Sequence, residues 1–125
     1  MLSAVVVDQL VEASSMEEVE LLCTLHGLTT ECALQARQIE TVARLIESRE
    51  AVLIEVQKKF MRKPDQLFAL DGVEYDELIC IKYRQFRGSD SNVLGAPIFF
   101  TDYWLDFRVS DLTPTMKKVL QIRWW

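Results

Sequence analysis

Apolar residues recur at helical spacing through the first half of the chain and at alternating spacing through the second. Ala4, Val7, Leu10 and Val11 share one face of a short helix, with Asp8 and Glu12 turned away. The β-branched run Val5-Val6-Val7 leaves an edge strand as the alternative there. Ser15-Met16-Glu17-Glu18 is a capping box and opens a helix to about His26. Gly27 suits the left-handed position after it, with Leu28 folding back on the last turn. Thr29 or Thr30 caps the next helix, expected to be the longest element, from about Glu31 to Arg62. Ile39, Val42, Ile46, Leu53, Val56 and Phe60 form its seam, broken once at Arg49, and Ala36 and Ala43 beside the seam permit close approach. Some thirty residues at 1.5 Å each make a rod of about 45 Å, which must project or pack on another chain. Pro64 ends it.

The second half reads as sheet. Leu67 to Leu70, Asp71-Gly72, then Val73 to Tyr75 is a hairpin signal, because Asp-Gly supplies the two positive-φ residues of a type I′ turn. The return strand continues through Ile79, Ile81 and Tyr83 on one face. Arg87 to Pro97 has the composition of a loop. A third strand from Ile98 to Val109 places Phe99, Tyr103, Leu105, Phe107 and Val109 on one face, and Phe100, Asp102, Trp104, Asp106 and Arg108 on the other. Leu112-Thr113-Pro114 is a turn, and Lys117 to Trp125 closes a fourth strand through Leu120, Ile122 and Trp124. The fold class is therefore α+β: N-terminal helices, including one long helix, packed on a C-terminal antiparallel sheet of about four strands. No repeat, low-complexity segment or linker divides the chain. Residues 1–125 form a single domain, 1–63 mainly helical and 66–125 mainly β.

Composition narrows the function classes. Half of the 125 residues are hydrophobic and 26% are charged, a globular balance. The net charge of −5 argues against a nucleic-acid binder, since phosphate contacts need a basic face. Met1 to Val11 lacks the basic leader and small-residue cleavage site of a signal peptide, and no apolar run approaches the length of a membrane span. The expected location is cytoplasmic, or within a particle assembled inside the cell. Cys23, Cys32 and Cys80 show neither CxxC nor zinc spacing and read as reduced core residues.

Catalytic and ligand motifs are missing from the sequence. His26, the single histidine, precedes the Gly27 cap and suits dipole compensation at a helix C-terminus. Asp71, Asp76 and Glu77, like Asp102 and Asp106, read as turn or solvated-face carboxylates rather than a glycosidase pair. Ser89-Asp90-Ser91-Asn92 lacks the glycine and the twelfth-position glutamate of an EF-hand. The four glycines are scattered singly, and no serine sits in a nucleophile elbow. The reading is a non-enzyme with no cofactor and no metal.

Two features stand above that background. Lys58, Lys59, Arg62 and Lys63 make a basic knot, read first as a helix end complementing its dipole and second as a contact for an acidic partner surface or for nucleic acid lining an assembly. Phe100, Trp104 and Trp125 fall on the face opposite the expected core, where large exposed aromatics mark interfaces, with a second internal packing layer as the alternative. The expectation is a structural or adaptor subunit of a larger, homo-oligomeric assembly, for example a viral connector or tail component. It would associate through its long helix and its aromatic sheet face, with copies of itself and neighbouring subunits as partners. The alternatives are a small cytoplasmic regulatory or chaperone-like dimer and an enzyme whose site is completed across a subunit interface.

Overall fold

The computed structural model describes residues 2–62, 75–87 and 99–124. Three helices lead: α1 (Ala4–Glu12), α2 (Met16–His26) and α3 (Thr30–Glu47). A sheet follows, β1 (Ala51–Arg62), β2 (Tyr75–Arg87) and β3 (Phe99–Arg108), and after a 3-10 turn the chain ends on α4 (Pro114–Trp124). The class is α+β, with an antiparallel sheet in the order β1-β2-β3.

Each helix start is held by the hydroxyl its sequence provides. Ser3, Ser15 and Thr29 accept from the amides of Val6, Glu18 and Cys32. The first segment is thus a helix, not an edge strand. The Glu18 carboxylate reaches back one residue further than a capping box requires, to the amide and hydroxyl of Ser14. At the end of α2, Gly27 is left-handed at φ 66 and the Leu28 amide bonds back to the Cys23 carbonyl.

Two expectations are corrected. The long helix over Glu31 to Arg62 does not exist: α3 stops at Glu47, and the residues from Ala51 on are the first strand. The helix ends in a complete Schellman motif without a glycine. Arg49 occupies the left-handed position at φ 67, its amide bonding to Ile46 and the Glu50 amide to Leu45. A β-bulge explains why the strand imitates a helix. Pairing skips from Leu53 opposite Tyr83 to Glu55 opposite Lys82, leaving Ile54 as the extra residue. Leu53 and Val56 therefore both face the core at a three-residue spacing that a regular strand does not give.

The second correction concerns the C-terminus, where Lys117 to Trp125 is not a fourth strand. Thr113 caps a helix through the Met116 amide, and Pro114 takes the first helical position, where its missing N–H costs nothing. Met116, Val119 and Leu120 are its buried seam. The described sheet thus has three strands, and the change from helix to strand falls at Glu50 rather than after Lys63. The proposed Leu67–Gly72 hairpin turn and most of the Arg87–Pro97 loop lie outside the described residues.

The main core lies between α3, α4 and one sheet face. Ile39, Val42, Leu53, Ile79, Ile81, Tyr83, Leu105, Phe107, Met116 and Leu120 are all buried in it. A second, smaller cluster joins α1 and α2 to the start of α3 through Leu10, Ala13, Val19, Cys23, Ala33 and Ala36. No helix among the described residues is long and apolar enough to cross a membrane.

Candidate protein-protein interface

Strand pairing lays out the sheet face that points away from α3 and α4. Reading across the strands, its rungs are Val52–Arg84–Asp102, Glu55–Lys82–Trp104, Gln57–Cys80–Asp106 and Lys59–Leu78–Arg108, with Phe86 beside Phe100 at one end. No described element covers this face. The side-chain alternation expected for the third strand is observed: Leu105 and Phe107 are buried, whereas Trp104 is 65% and Phe100 53% exposed. Val52, Ile54 and Phe86 are also exposed. Phe99, expected on the core face, is exposed because it sits at the very start of the strand.

Charge is woven through these rings. The Asp102 carboxylate accepts from Arg84 Nε at 2.8 Å and Nη2 at 3.2 Å, and Lys82 Nζ lies 3.9 Å from it. The hydrogen bond from Arg84 holds the Asp102 carboxyl below its usual value and, reciprocally, Asp102 raises the Arg84 guanidinium. Held in this way, Arg84 lies 4.1 Å from the Phe100 ring centroid, and Lys82 lies 5.2 Å from that of Trp104. One carboxylate thus places both cations beside exposed aromatic rings. On the core side of the same strands Tyr83 and Tyr103 stack at 5.4 Å.

The other expected interface residues are divided. Lys58 and Lys59 lie on β1, so the dipole role assigned to the basic knot at a helix end is overturned. Lys58 pairs with Glu77 of β2 at 3.3 Å, on the core side of the sheet. Lys59 falls on the outer face. Arg62 ends β1 opposite Tyr75, while Lys63 and Trp125 are outside the described residues. The long helix named as a second contact surface is replaced by α3, whose apolar side is spent within the chain. Val52, Ile54, Lys82, Arg84 and Phe86 were not singled out from sequence, although alternation from Tyr83 outward already assigned the last three to this face.

Among the described residues the titratable groups do not converge on a cleft. The Cys80 thiol is pushed up by a hydrogen bond with Asp106 and by burial, which disfavours the thiolate a nucleophile needs. The His26 ring bonds Gln9 at 2.9 Å across α1 and α2. The cleft between the end of α3, the start of β1 and α4 is lined by Ile46, Ala51, Val52, Phe86 and Val119, and its Glu47 and Lys118 pair with each other at 3.6 Å. No group of three His, Cys, Asp or Glu side chains placed to hold a metal occurs among the described residues. No family model matches the chain, and comparison with curated proteins and with solved structures finds no match.

Proposed function

We propose that the chain is a non-enzymatic structural subunit of a larger, homo-oligomeric protein assembly, of the kind found in a viral connector or tail, and that it associates through the outer face of its sheet. The observation that carries this reading is the exposure of Trp104 and Phe100 on β3, on the sheet face that no described element covers, while the opposite face supplies the main core. Large rings left in water on a rigid surface favour association, and such rings are common energetic anchors of interfaces. The Arg84–Asp102 pair is already made in the single chain, so covering the face does not leave that carboxylate unpaired.

Trp104→Ala tests it. The substitution removes an exposed ring, so the melting temperature should stay within a few degrees of the wild type. In sedimentation velocity the mass should shift toward the monomer. A variant that keeps both its melting temperature and its wild-type mass would show that Trp104 is simply exposed, and the proposal would fall.

A further inference from the structure

Helix α2 carries the second exposed apolar surface. Val19 and Cys23 bury against α3, so the line Glu17–Leu21–Leu25 points outward, with Glu20 and Thr24 beside it. Leu21 and Leu25 are 70% and 73% exposed, one helical turn apart. The helix that carries this ridge is acidic, with Glu17, Glu18 and Glu20 and neither lysine nor arginine. The first 36 residues hold six carboxylates (Asp8, Glu12, Glu17, Glu18, Glu20, Glu31) and neither lysine nor arginine, whereas the remaining 13 carboxylates are outnumbered by 14 cations. The outer sheet face shares in that reversal, with Lys59, Lys82, Arg84 and Arg108 against Glu55, Asp102 and Asp106.

Among the described residues, then, two apolar surfaces are left uncovered, one acidic and one slightly cationic. Within a single copy they do not meet, because α2 and the sheet are each packed on α3 through their other faces. We infer that the occupant of the outer sheet face is the α2 ridge of a second copy. Leu21 and Leu25 seat against Trp104 and Phe100, with Glu17 and Glu20 directed at Lys82 and Arg84. Self-pairing of two ridges would oppose carboxylates, and self-pairing of two sheet faces would leave the ridge uncovered; only the unlike pairing satisfies charge and apolar surface together. Such a contact is heterologous, so each copy offers one donor and one acceptor surface and growth continues until a ring closes or a filament runs on. The inference rests on the outer sheet face being an interface and adds what fills it.

Two variants, each defective in one surface, test it: Trp104→Glu for the sheet face, and Leu21→Ser with Leu25→Ser for the ridge. All three positions are exposed, so circular dichroism should report folded chains. Wild-type protein should sediment above dimer mass and its association should weaken about tenfold or more from low to roughly 0.5 M salt. Each variant alone should be monomeric, and an equimolar mixture should give a one-to-one dimer that grows no further, because only one intact junction can form. If the ridge variant assembles like wild type while Trp104→Glu does not, the sheet face has another partner surface; the inference is then wrong and the proposed function survives. Normal assembly by Trp104→Glu would overturn both. A mixture that stays monomeric, or a wild-type chain that is monomeric at all concentrations, would overturn the head-to-tail junction.

Discussion

Glu40 is the residue on which the helices are pinned together. It is 2% exposed on α3, and its Oε2 accepts from Arg44 Nε at 2.9 Å and from the Thr115 hydroxyl at 2.7 Å, while Arg44 also pairs with Asp8. One buried carboxylate thus links α1, α3 and the first turn of α4, and its Oε1 has no partner among the described atoms. Glu40→Ala should cost about 2–4 kcal/mol in urea unfolding, since it leaves the Thr115 hydroxyl unpaired and opens a cavity. Arg44→Met should also destabilise, by leaving the buried carboxylate with one weak donor, and the double variant should cost clearly less than the two singles added. Full additivity would mean that the pair does not act as a unit. Asp102 offers a second test at this scale. Its carboxyl lies below the ordinary 3.8 because of Arg84. The stabilisation it contributes is therefore complete above that ordinary value and is lost as pH falls toward the lower, folded one. Asp102→Asn should lower the melting temperature at neutral pH and flatten the acid limb, so that its curve converges on the wild type below about pH 4. An unchanged acid limb would show that other carboxylates set it.

At the scale of elements, the two left-handed helix ends form a natural pair. Gly27 and Arg49 hold nearly the same φ, 66 and 67, but only one of them is glycine. A Cβ built on Gly27 meets nothing within 4 Å, so Gly27→Ala should cost about 1 kcal/mol through backbone strain alone. Arg49→Gly should gain a similar amount, which thermal melts read as opposite shifts of several degrees. A neutral Arg49→Gly would mean that contacts of the arginine side chain offset its strain. The same two positions show what was legible in the sequence. Gly27 announces its helix end and Ser15 its cap, while the sequence leaves Thr29 and Thr30 as rivals and the structure selects Thr29. Arg49 announced nothing, since a non-glycine residue in that conformation is rare. The Ile54 bulge then kept Leu53 and Val56 at helical spacing, so strand β1 continued the apparent seam of α3. The C-terminal helix was different, because Thr113-Pro114 is a legible start signal. It was outweighed by the alternation of Leu120, Ile122 and Trp124, which ignored the true seam of Met116, Val119 and Leu120. The aromatic outer face was recoverable in kind because period-2 alternation in β3 is unbroken, whereas its cationic half on β2 and the α2 ridge depend on which surfaces the fold leaves uncovered.

At the scale of the whole molecule, one helix serves two cores of unequal strength. The second half of α3 gives Ile39, Val42 and Ala43 to the main core, whose other members include Ile81, Leu105, Phe107 and Met116. The first half gives only Ala33 and Ala36 to the smaller cluster with α1 and α2, where Leu10 and Val19 are the largest fully buried side chains. Buried apolar area per residue is thus much lower in the N-terminal layer, and local opening free energies follow that area. Native-state hydrogen exchange on the wild type should show the amides of α1 and α2 opening at lower free energy than those of β2, as a unit that detaches while the sheet core persists. Leu10→Ala should lower protection in α1 and α2 by about 2–4 kcal/mol where opening of that layer sets the exchange, and leave β2 much less affected. Phe107→Ala, fully within the main core, should lower the global limit by about 3–5 kcal/mol and reduce protection throughout. The layer expected to open first is also the one that carries Leu21 and Leu25. A junction made by α2 should then raise the exchange protection of α1 and α2 as protein concentration rises, because binding favours the closed layer by mass action. Uniform protection across both layers, with Leu10→Ala and Phe107→Ala acting alike, would show that Glu40 and α3 weld the two clusters into one cooperative unit.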